Sequence, residues 1–149
     1  MKISLVCPMN YYGESATRGI YYPMGVLSVG SLIKDSFPSY DVSVIDGELY
    51  SKEELIDKIK DADVLGLSAN TNNYPLCLEL AETAKEQGSK VVIGGPHATA
   101  LPTQILRNRD YVDAVIVNDG EESFLEYLIG GDLSRIPNLV WRDNGEIKH

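Results

Sequence analysis

Five short apolar runs, each followed by a stretch with helical spacing, constrain the fold of this 149-residue chain more than any other feature. The runs occupy residues 3–6, 41–45, 64–68, 90–93 and 114–117. The helical patterns occupy residues 23–33, 74–87, 101–108 and 121–129, and one more begins at Ser51, which forms a capping-box pattern with Glu54. Buried strands that alternate with helices predict a parallel sheet with helices on both faces. Because crossovers are right-handed, we expect a doubly wound α/β fold (Rossmann- or flavodoxin-like) with five parallel strands in the order 2-1-3-4-5.

The end of the chain has a different pattern. Two short runs, residues 139–142 and 146–148, are separated by Asp143, Asn144 and Gly145. An Asn-Gly pair between two such runs is a strong hairpin signal. The sequence therefore predicts a C-terminal β-hairpin at about residues 138–148, appended to a single domain that spans residues 1–149.

Charge and composition exclude several classes of function. The formal net charge of -9 argues against a nucleic-acid partner, because phosphate binding requires clustered lysine and arginine. No apolar run approaches the roughly 20 residues that span a bilayer, and the first run is too short for a signal peptide, so we expect a cytoplasmic protein with no membrane partner. Two cysteines, Cys7 and Cys77, are too few for a disulfide framework or an iron–sulfur cluster. No catalytic residue and no metal-ligating residue is predicted.

The segment from Gly94 to Thr99 is the strongest candidate for a binding site. It follows the fourth apolar run and reads Gly94-Gly95-Pro96-His97-Ala98-Thr99. Adjacent glycines let a ligand approach the main chain closely, and open parallel sheets bind ligands at the carboxyl ends of their strands. A second interpretation stays open, in which the two glycines only turn the chain between strand and helix.

The other loops narrow the choice of ligand. The polar, tyrosine-containing loop of residues 8–22 after the first strand has no G-x-G-x-x-G, and the chain has no lysine-bearing phosphate loop, which disfavours a nucleotide or flavin enzyme. Asp46-Gly47 is better explained as a turn or a helix cap than as a ribose site. The loops of residues 68–75, 94–99 and 118–123 are small and polar. A rim of hydrogen-bonding groups of this kind suits a broad ligand that is ringed with amides.

Several motifs occur in an order that is typical of one family. They are Tyr22-Pro23-Met24-Gly25-Val26-Leu27, Val44-Ile45-Asp46, Leu65-Gly66-Leu67-Ser68, Asn73-Tyr74-Pro75, Gly94-Gly95-Pro96-His97-Ala98-Thr99, Gly120-Glu121-Glu122 and Ile136-Pro137-Asn138-Leu139-Val140. With these motifs the chain resembles, almost from end to end, the N-terminal cobalamin-binding domain of cobalamin-dependent radical S-adenosylmethionine enzymes. It departs from the family at Asn118-Asp119-Gly120-Glu121, where glycine-glutamate-glycine-glutamate is more common.

The resemblance implies a binding site at the upper edge of the sheet. In the family the corrin ring lies over that edge, and the nucleotide tail runs down beside the sheet. Ser68 would then line the tail slot, and Gly94 and Gly95 would admit the tail. The remaining implied contacts, with the ring or its amide arms, are Thr71, Asn72, Pro96, His97, Gly120 and Glu121. The axial motif aspartate-x-histidine-x-x-glycine is absent after the first strand, so we expect base-off binding without a histidine ligand to cobalt.

The implied function is that of a cobalamin-carrying module of a radical S-adenosylmethionine enzyme, in which the bound cobalt serves methyl transfer or related radical chemistry. The iron–sulfur cluster and S-adenosylmethionine would belong to a separate catalytic domain, joined in the same protein or supplied by a partner, so this chain alone would have no activity. Two alternatives remain: the same fold without cobalamin, acting as a structural or protein-interaction domain, and a small flavodoxin-like enzyme.

Overall fold

A computed structural model describes residues 1–10 and 22–149, so residues 11–21 of the expected loop at residues 8–22 lie outside the described residues. The strands are β1 Lys2–Cys7, β2 Asp41–Asp46, β3 Val64–Ser68, β4 Lys90–Gly94, β5 Ala114–Ile116, β6 Leu139–Asp143 and β7 Glu146–Lys148. The helices are α1 Met24–Ser36, α2 Lys52–Ile59, α3 Tyr74–Glu86, α4 Pro96–Ala100, α5 Pro102–Asn108 and α6 Glu121–Ile129.

The strands form one sheet in the order β2-β1-β3-β4-β5-β6-β7. The first five strands are parallel, and their order confirms the predicted doubly wound arrangement. Helices cover both faces, because strands β3 and β4 are apolar on each side and must bury both. One core cluster includes Leu55, Leu80 and Ile105 on the face of α2, α3 and α5. The other includes Ile33 and Phe124 on the face of α1 and α6.

The hairpin is part of the sheet, and its description as an appendage is wrong. Strand β6 pairs antiparallel with β5, and β7 pairs antiparallel with β6, so the sheet has seven strands. Without β6, strand β5 would present unpaired backbone groups at an edge. Leu139, Val140 and Trp141 also bury at least nine tenths of their surface in this arrangement. Pairing and burial together bring the hairpin into the sheet.

Local signals in the sequence explain where several helices begin and end. The predicted capping box is present: Ser51 Oγ accepts from the Glu54 N–H, and Glu54 Oε2 accepts from the Ser51 N–H. Gly88, with φ of 91°, follows the end of α3, as expected of a helix-ending glycine. The segment after β4 differs from the expected loop, because Pro96 starts the short helix α4. None of the helices in the described residues has the length and apolarity to cross a membrane.

Candidate functional site

A cleft of about 160 Å³ opens at the carboxyl edge of the sheet. Helices α1 and α6 form its sides, and strands β1, β3, β4 and β5 form its floor. The described residues that line it, which together define the cleft, are Leu5, Gly25, Val26, Val29, Gly66, Leu67, Ser68, Val92, Gly94, Gly95, Ile116, Asn118, Asp119, Gly120, Glu121 and Phe124. Its position at the carboxyl ends of parallel strands is the position at which this class of fold binds ligands.

The cleft has an apolar floor and a polar rim. Leu5, Val92, Ile116 and Phe124 are each at most 5% exposed, so they form the deep part. The polar lining residues are Ser68, Asn118, Asp119 and Glu121, which are half-buried or exposed. This distribution is typical of ligand pockets, in which apolar surface supplies most of the burial and a few polar groups fix the orientation.

Gly94 leaves an opening into the cleft. Among the described residues, the nearest neighbour of a Cβ at this position would be the Ile116 carbonyl oxygen, 3.6 Å away, which is an ordinary contact. The backbone of Gly94 is also outside the left-handed region. The protein itself therefore does not require glycine here, and the missing side chain creates free space at the carboxyl end of β4.

Gly95 is glycine for a different reason. Its φ of 93° and ψ of 178° belong to a region that only glycine adopts readily. A Cβ would also lie 2.7 Å from the Ala69 carbonyl oxygen and 2.8 Å from the Ala69 nitrogen. The chain needs this turn, because the His97 N–H then donates to the Ala69 carbonyl and the Ala69 N–H donates to the Gly94 carbonyl. These bonds join the loops that follow β3 and β4.

Two further glycines belong to the cleft, although no role was predicted for either of them. Gly66 lies in the middle of β3, where a Cβ would come within 2.6 Å of Leu5 and 2.9 Å of Phe124. Gly25, in the first turn of α1, has none of the described residues within 4 Å of the position of a Cβ. Glycine inside a strand often marks a position that a ligand or another chain segment approaches closely. Gly66 in the motif Leu65-Gly66-Leu67-Ser68 was therefore the feature of the sequence that could have indicated this part of the cleft.

Asparagine side chains hold the loops beside the cleft. Asn73 is fully buried, and its Nδ2 donates to the carbonyl oxygens of Pro8 and Ser68. Asn70 Oδ1 accepts from the N–H groups of Asn72 and Asn73, and Asn70 Nδ2 donates to Asn10. Asn10 in turn donates to Glu48. We call Asn10, Glu48, Asn70 and Asn73 the loop network, because together they connect the loops after β1, β2 and β3.

His97 lies at the sheet edge outside the cleft. Its ring stacks on Tyr74 with centroids 4.0 Å apart, and its Nδ1 is 3.5 Å from Thr71 Oγ1. Burial lowers the pKa of His97, which favours the neutral ring.

Of the predicted site residues, the structure brings Ser68, Gly94, Gly95, Gly120 and Glu121 together in the cleft. Thr71, Asn72, Pro96 and His97 do not line it: the first two lie on the loop after β3, and the other two lie in the first turn of α4.

Neither cysteine has the environment of a nucleophile or a metal ligand. Burial, with a smaller contribution from Asp46 and Glu48, raises the pKa of the Cys7 thiol to about 11. Cys77 is fully buried on α3, and burial raises its pKa further. Both thiols are therefore protonated near neutral pH, whereas the thiolate is the reactive form. Among the described residues, no group of three or more histidine, cysteine or acidic side chains is arranged to hold a metal ion.

The dimensions of the cleft limit what it can hold. An apolar cavity of roughly 150 Å³ binds a ligand the size of benzene, so the cleft accepts one flat aromatic group rather than a macrocycle. A larger ligand would insert such a group and leave the remainder above the sheet edge. The cleft therefore has room for one flat apolar group, and the segments that follow β3, β4 and β5 lie beside it.

Comparison with known proteins identifies sequences of the same kind. Residues 15–128 match the family model described as the B12 binding domain. An uncharacterized methyltransferase of Pyrococcus horikoshii is 31% identical over the whole chain, which spans 34% of that protein. The cobalamin-dependent radical SAM methyltransferase TokK of Streptomyces tokunonensis is 33% identical over 51% of the chain, corresponding to 12% of its own length. The anaerobic magnesium-protoporphyrin IX monomethyl ester cyclase of Cereibacter sphaeroides is 27% identical over 82% of the chain and 21% of its own length.

Proposed function

The chain belongs to the family of B12-binding domains, and from this membership we propose that residues 1–149 form one domain that carries cobalamin for a radical S-adenosylmethionine enzyme. The observation that carries the proposal is the cleft, which combines a buried apolar floor with the free space at Gly94. When bound, cobalamin supplies a cobalt centre that carries a methyl group or exchanges electrons.

In this proposal the cleft receives the base of the nucleotide tail. Ser68, Gly94, Gly95 and Gly120 would contact the tail, since all four line the cleft. The corrin ring is too large for a volume of about 160 Å³ and would stay above the sheet edge. Its amide arms would meet Thr71 and Asn72 on the loop after β3, and Pro96, His97 and Glu121 at the starts of α4 and α6. A base inserted in the cleft is separated from the cobalt, which is base-off binding.

We propose further that no protein side chain replaces the base on cobalt. The chain has two histidines, His97 and His149. His97 stacks on Tyr74 with its Nδ1 near Thr71, and His149 Nε2 is 3.5 Å from Thr103 Oγ1 near the chain end. The Cys7 thiol, with its pKa raised to about 11, is a poor source of thiolate. These environments favour a role for His97 in shaping the loop or contacting an amide.

The chemistry itself would require a second domain. The chain spans about a third or less of the length of its curated relatives from Pyrococcus horikoshii, Streptomyces tokunonensis and Cereibacter sphaeroides. We propose that a radical S-adenosylmethionine domain, joined in the same protein or supplied by a partner, provides the iron–sulfur cluster and covers the ligand face. The cytoplasmic location expected from the sequence belongs to this proposal too.

Titration with hydroxocobalamin and methylcobalamin tests the proposal. We expect the purified chain to bind both, and the visible absorption band of methylcobalamin to move to shorter wavelength as its base leaves the cobalt. Gly94→Val should lower the affinity at least about tenfold, because its methyl groups would occupy the cleft while the fold has room for its Cβ.

Ala100→Val is the matched control, because it adds the same side chain at an exposed position outside the cleft. It should bind like the parent, and thermal unfolding should verify that both variants are folded. If the parent binds neither cobalamin, the proposal fails in favour of a structural or interaction domain of the same fold. If Gly94→Val binds as tightly as the parent, the tail does not pass Gly94.

A further inference from the structure

We infer that the cleft selects the base of the nucleotide tail, accepting an alkylated benzimidazole and rejecting a purine. This inference rests on the proposed function and adds a ligand preference that follows from the walls of the cleft. Natural corrinoids differ in this base, so the preference would decide which of them the protein retains.

The deep walls offer a buried base no polar side chain. Among the described residues, the floor and sides consist of Leu5, Val26, Val92, Ile116 and Phe124, each at most 7% exposed, with Gly66 between Leu5 and Phe124. The carboxylates and the amide of the lining, at Asp119, Glu121 and Asn118, lie in the half-buried or exposed rim. A polar atom on the inserted part of a base would therefore find no partner at depth among the described side chains.

Backbone groups cannot take the place of polar side chains in the floor. Strand β3 pairs with β1 on one side and with β4 on the other, and β4 pairs with β5. The amide and carbonyl groups of these inner strands are used by the sheet ladder. At the carboxyl edge, the Gly94 carbonyl already accepts from the Ala69 N–H.

Ser68 is the exception near the top of the floor. It follows Gly66 and Leu67 on β3, lines the cleft, and is half-buried. Among the described residues its hydroxyl has no hydrogen-bond partner, so it is available to a ligand. Of the described residues that line the cleft, Ser68 alone carries a hydroxyl, and it lies where a base would enter.

The two kinds of base differ in their polar atoms. A benzimidazole joined to its ribose through one ring nitrogen keeps a single acceptor nitrogen, and its methyl groups match the apolar floor. A purine keeps several ring acceptors and, in adenine, an amino group. One hydroxyl satisfies the benzimidazole, whereas a buried purine would retain unsatisfied groups, each of which weakens binding severalfold or more.

Binding measurements with three corrinoids test the inference: cobalamin, the cobamide whose base is adenine, and cobinamide, which has no base. We expect cobalamin to bind at least about tenfold more tightly than the adenine form, and cobinamide to bind more weakly than cobalamin. Equal affinities for cobalamin and the adenine form would overturn the inference while leaving the proposed function intact. Failure of all three to bind would overturn both.

Two substitutions locate the selectivity. Val92→Thr places a hydroxyl in the wall without changing the shape of the side chain, and it should reduce the preference for cobalamin at least about threefold. Val64→Thr is the matched control, because Val64 is also a buried strand valine on the same face but does not line the cleft. It should leave the preference unchanged. An equal effect of the two substitutions would contradict selection by the cleft wall.

Discussion

Gly94 and Gly95 are neighbours in the chain, yet the fold requires glycine at only one of the two positions. Gly95 has a backbone conformation that excludes other residues, and the Ala69 backbone occupies the space of its Cβ. Gly94 has an ordinary backbone and room for a side chain. The sequence could not separate these cases, because the φ of each residue depends on how the loop after β4 meets the loop after β3. The turn explains Gly95, whereas close approach of a ligand at Gly94 stays a prediction.

Alanine substitutions at the two positions should change the free energy of unfolding by different amounts. Gly95→Ala should lower the free energy of unfolding by about 3 kcal/mol, because it adds backbone strain and a contact with Ala69. Gly94→Ala should change it by less than about 1 kcal/mol. Urea denaturation measures both values. Similar losses for the two variants would mean that Gly94 is also required by the fold.

At the scale of elements, the sequence predicted the parallel strands well and the hairpin only in part. Alternation of apolar runs with helical patterns, together with right-handed crossovers, sufficed for the order of the five strands. The Asn144-Gly145 pair specified the turn of the hairpin but carried no information about its partner. That partner depends on which edge of the sheet is open, and this becomes evident only when β5 is in place. Helix α4 could not be predicted from the sequence either, because its five residues are too few to show a periodic pattern.

A substitution in β6 tests whether the hairpin contributes to the core. Trp141 is 8% exposed, lies opposite Ala114 on β5 and packs in the core cluster that includes Phe124. Trp141→Ala should therefore lower the free energy of unfolding by about 3 kcal/mol or more. Ile147→Ala, in the half-buried outer strand β7, serves as the control and should cost about 1 kcal/mol. A Trp141→Ala loss as small as that of the control would mean that β6 contributes little to the stability of the core.

At the scale of the whole molecule, the number of cysteines bears on whether this chain could hold an iron–sulfur cluster. The chain has two cysteines, both protonated near neutral pH, and its described residues contain no metal-binding cluster. Iron–sulfur clusters of the kind that reduce S-adenosylmethionine are held by several thiolates close together. The sequence alone predicts that such a cluster would belong to another domain, because counting cysteines requires no coordinates. The shape of the cleft, in contrast, depends on helix packing that no count reveals.

The isolated chain should not cleave S-adenosylmethionine. Incubation of the chain with cobalamin, S-adenosylmethionine and a low-potential reductant should release no 5′-deoxyadenosine, measured by chromatography. A complete radical S-adenosylmethionine enzyme under the same conditions is the positive control. Release of 5′-deoxyadenosine by the chain at a rate above the protein-free background would contradict the assignment of the chemistry to another domain.

The loop network has a consequence for the kinetics of binding. Asn10, Glu48, Asn70 and Asn73 connect residues 8–10 with the segments after β2 and β3 by hydrogen bonds within the protein, so these described residues have little conformational freedom to lose when a ligand arrives. A preorganised site of this kind changes little during association, and differences in affinity among related complexes then reside mainly in the dissociation rate. The residence time of a corrinoid on this sheet edge, more than its rate of capture, would therefore distinguish a matching base from a mismatched one.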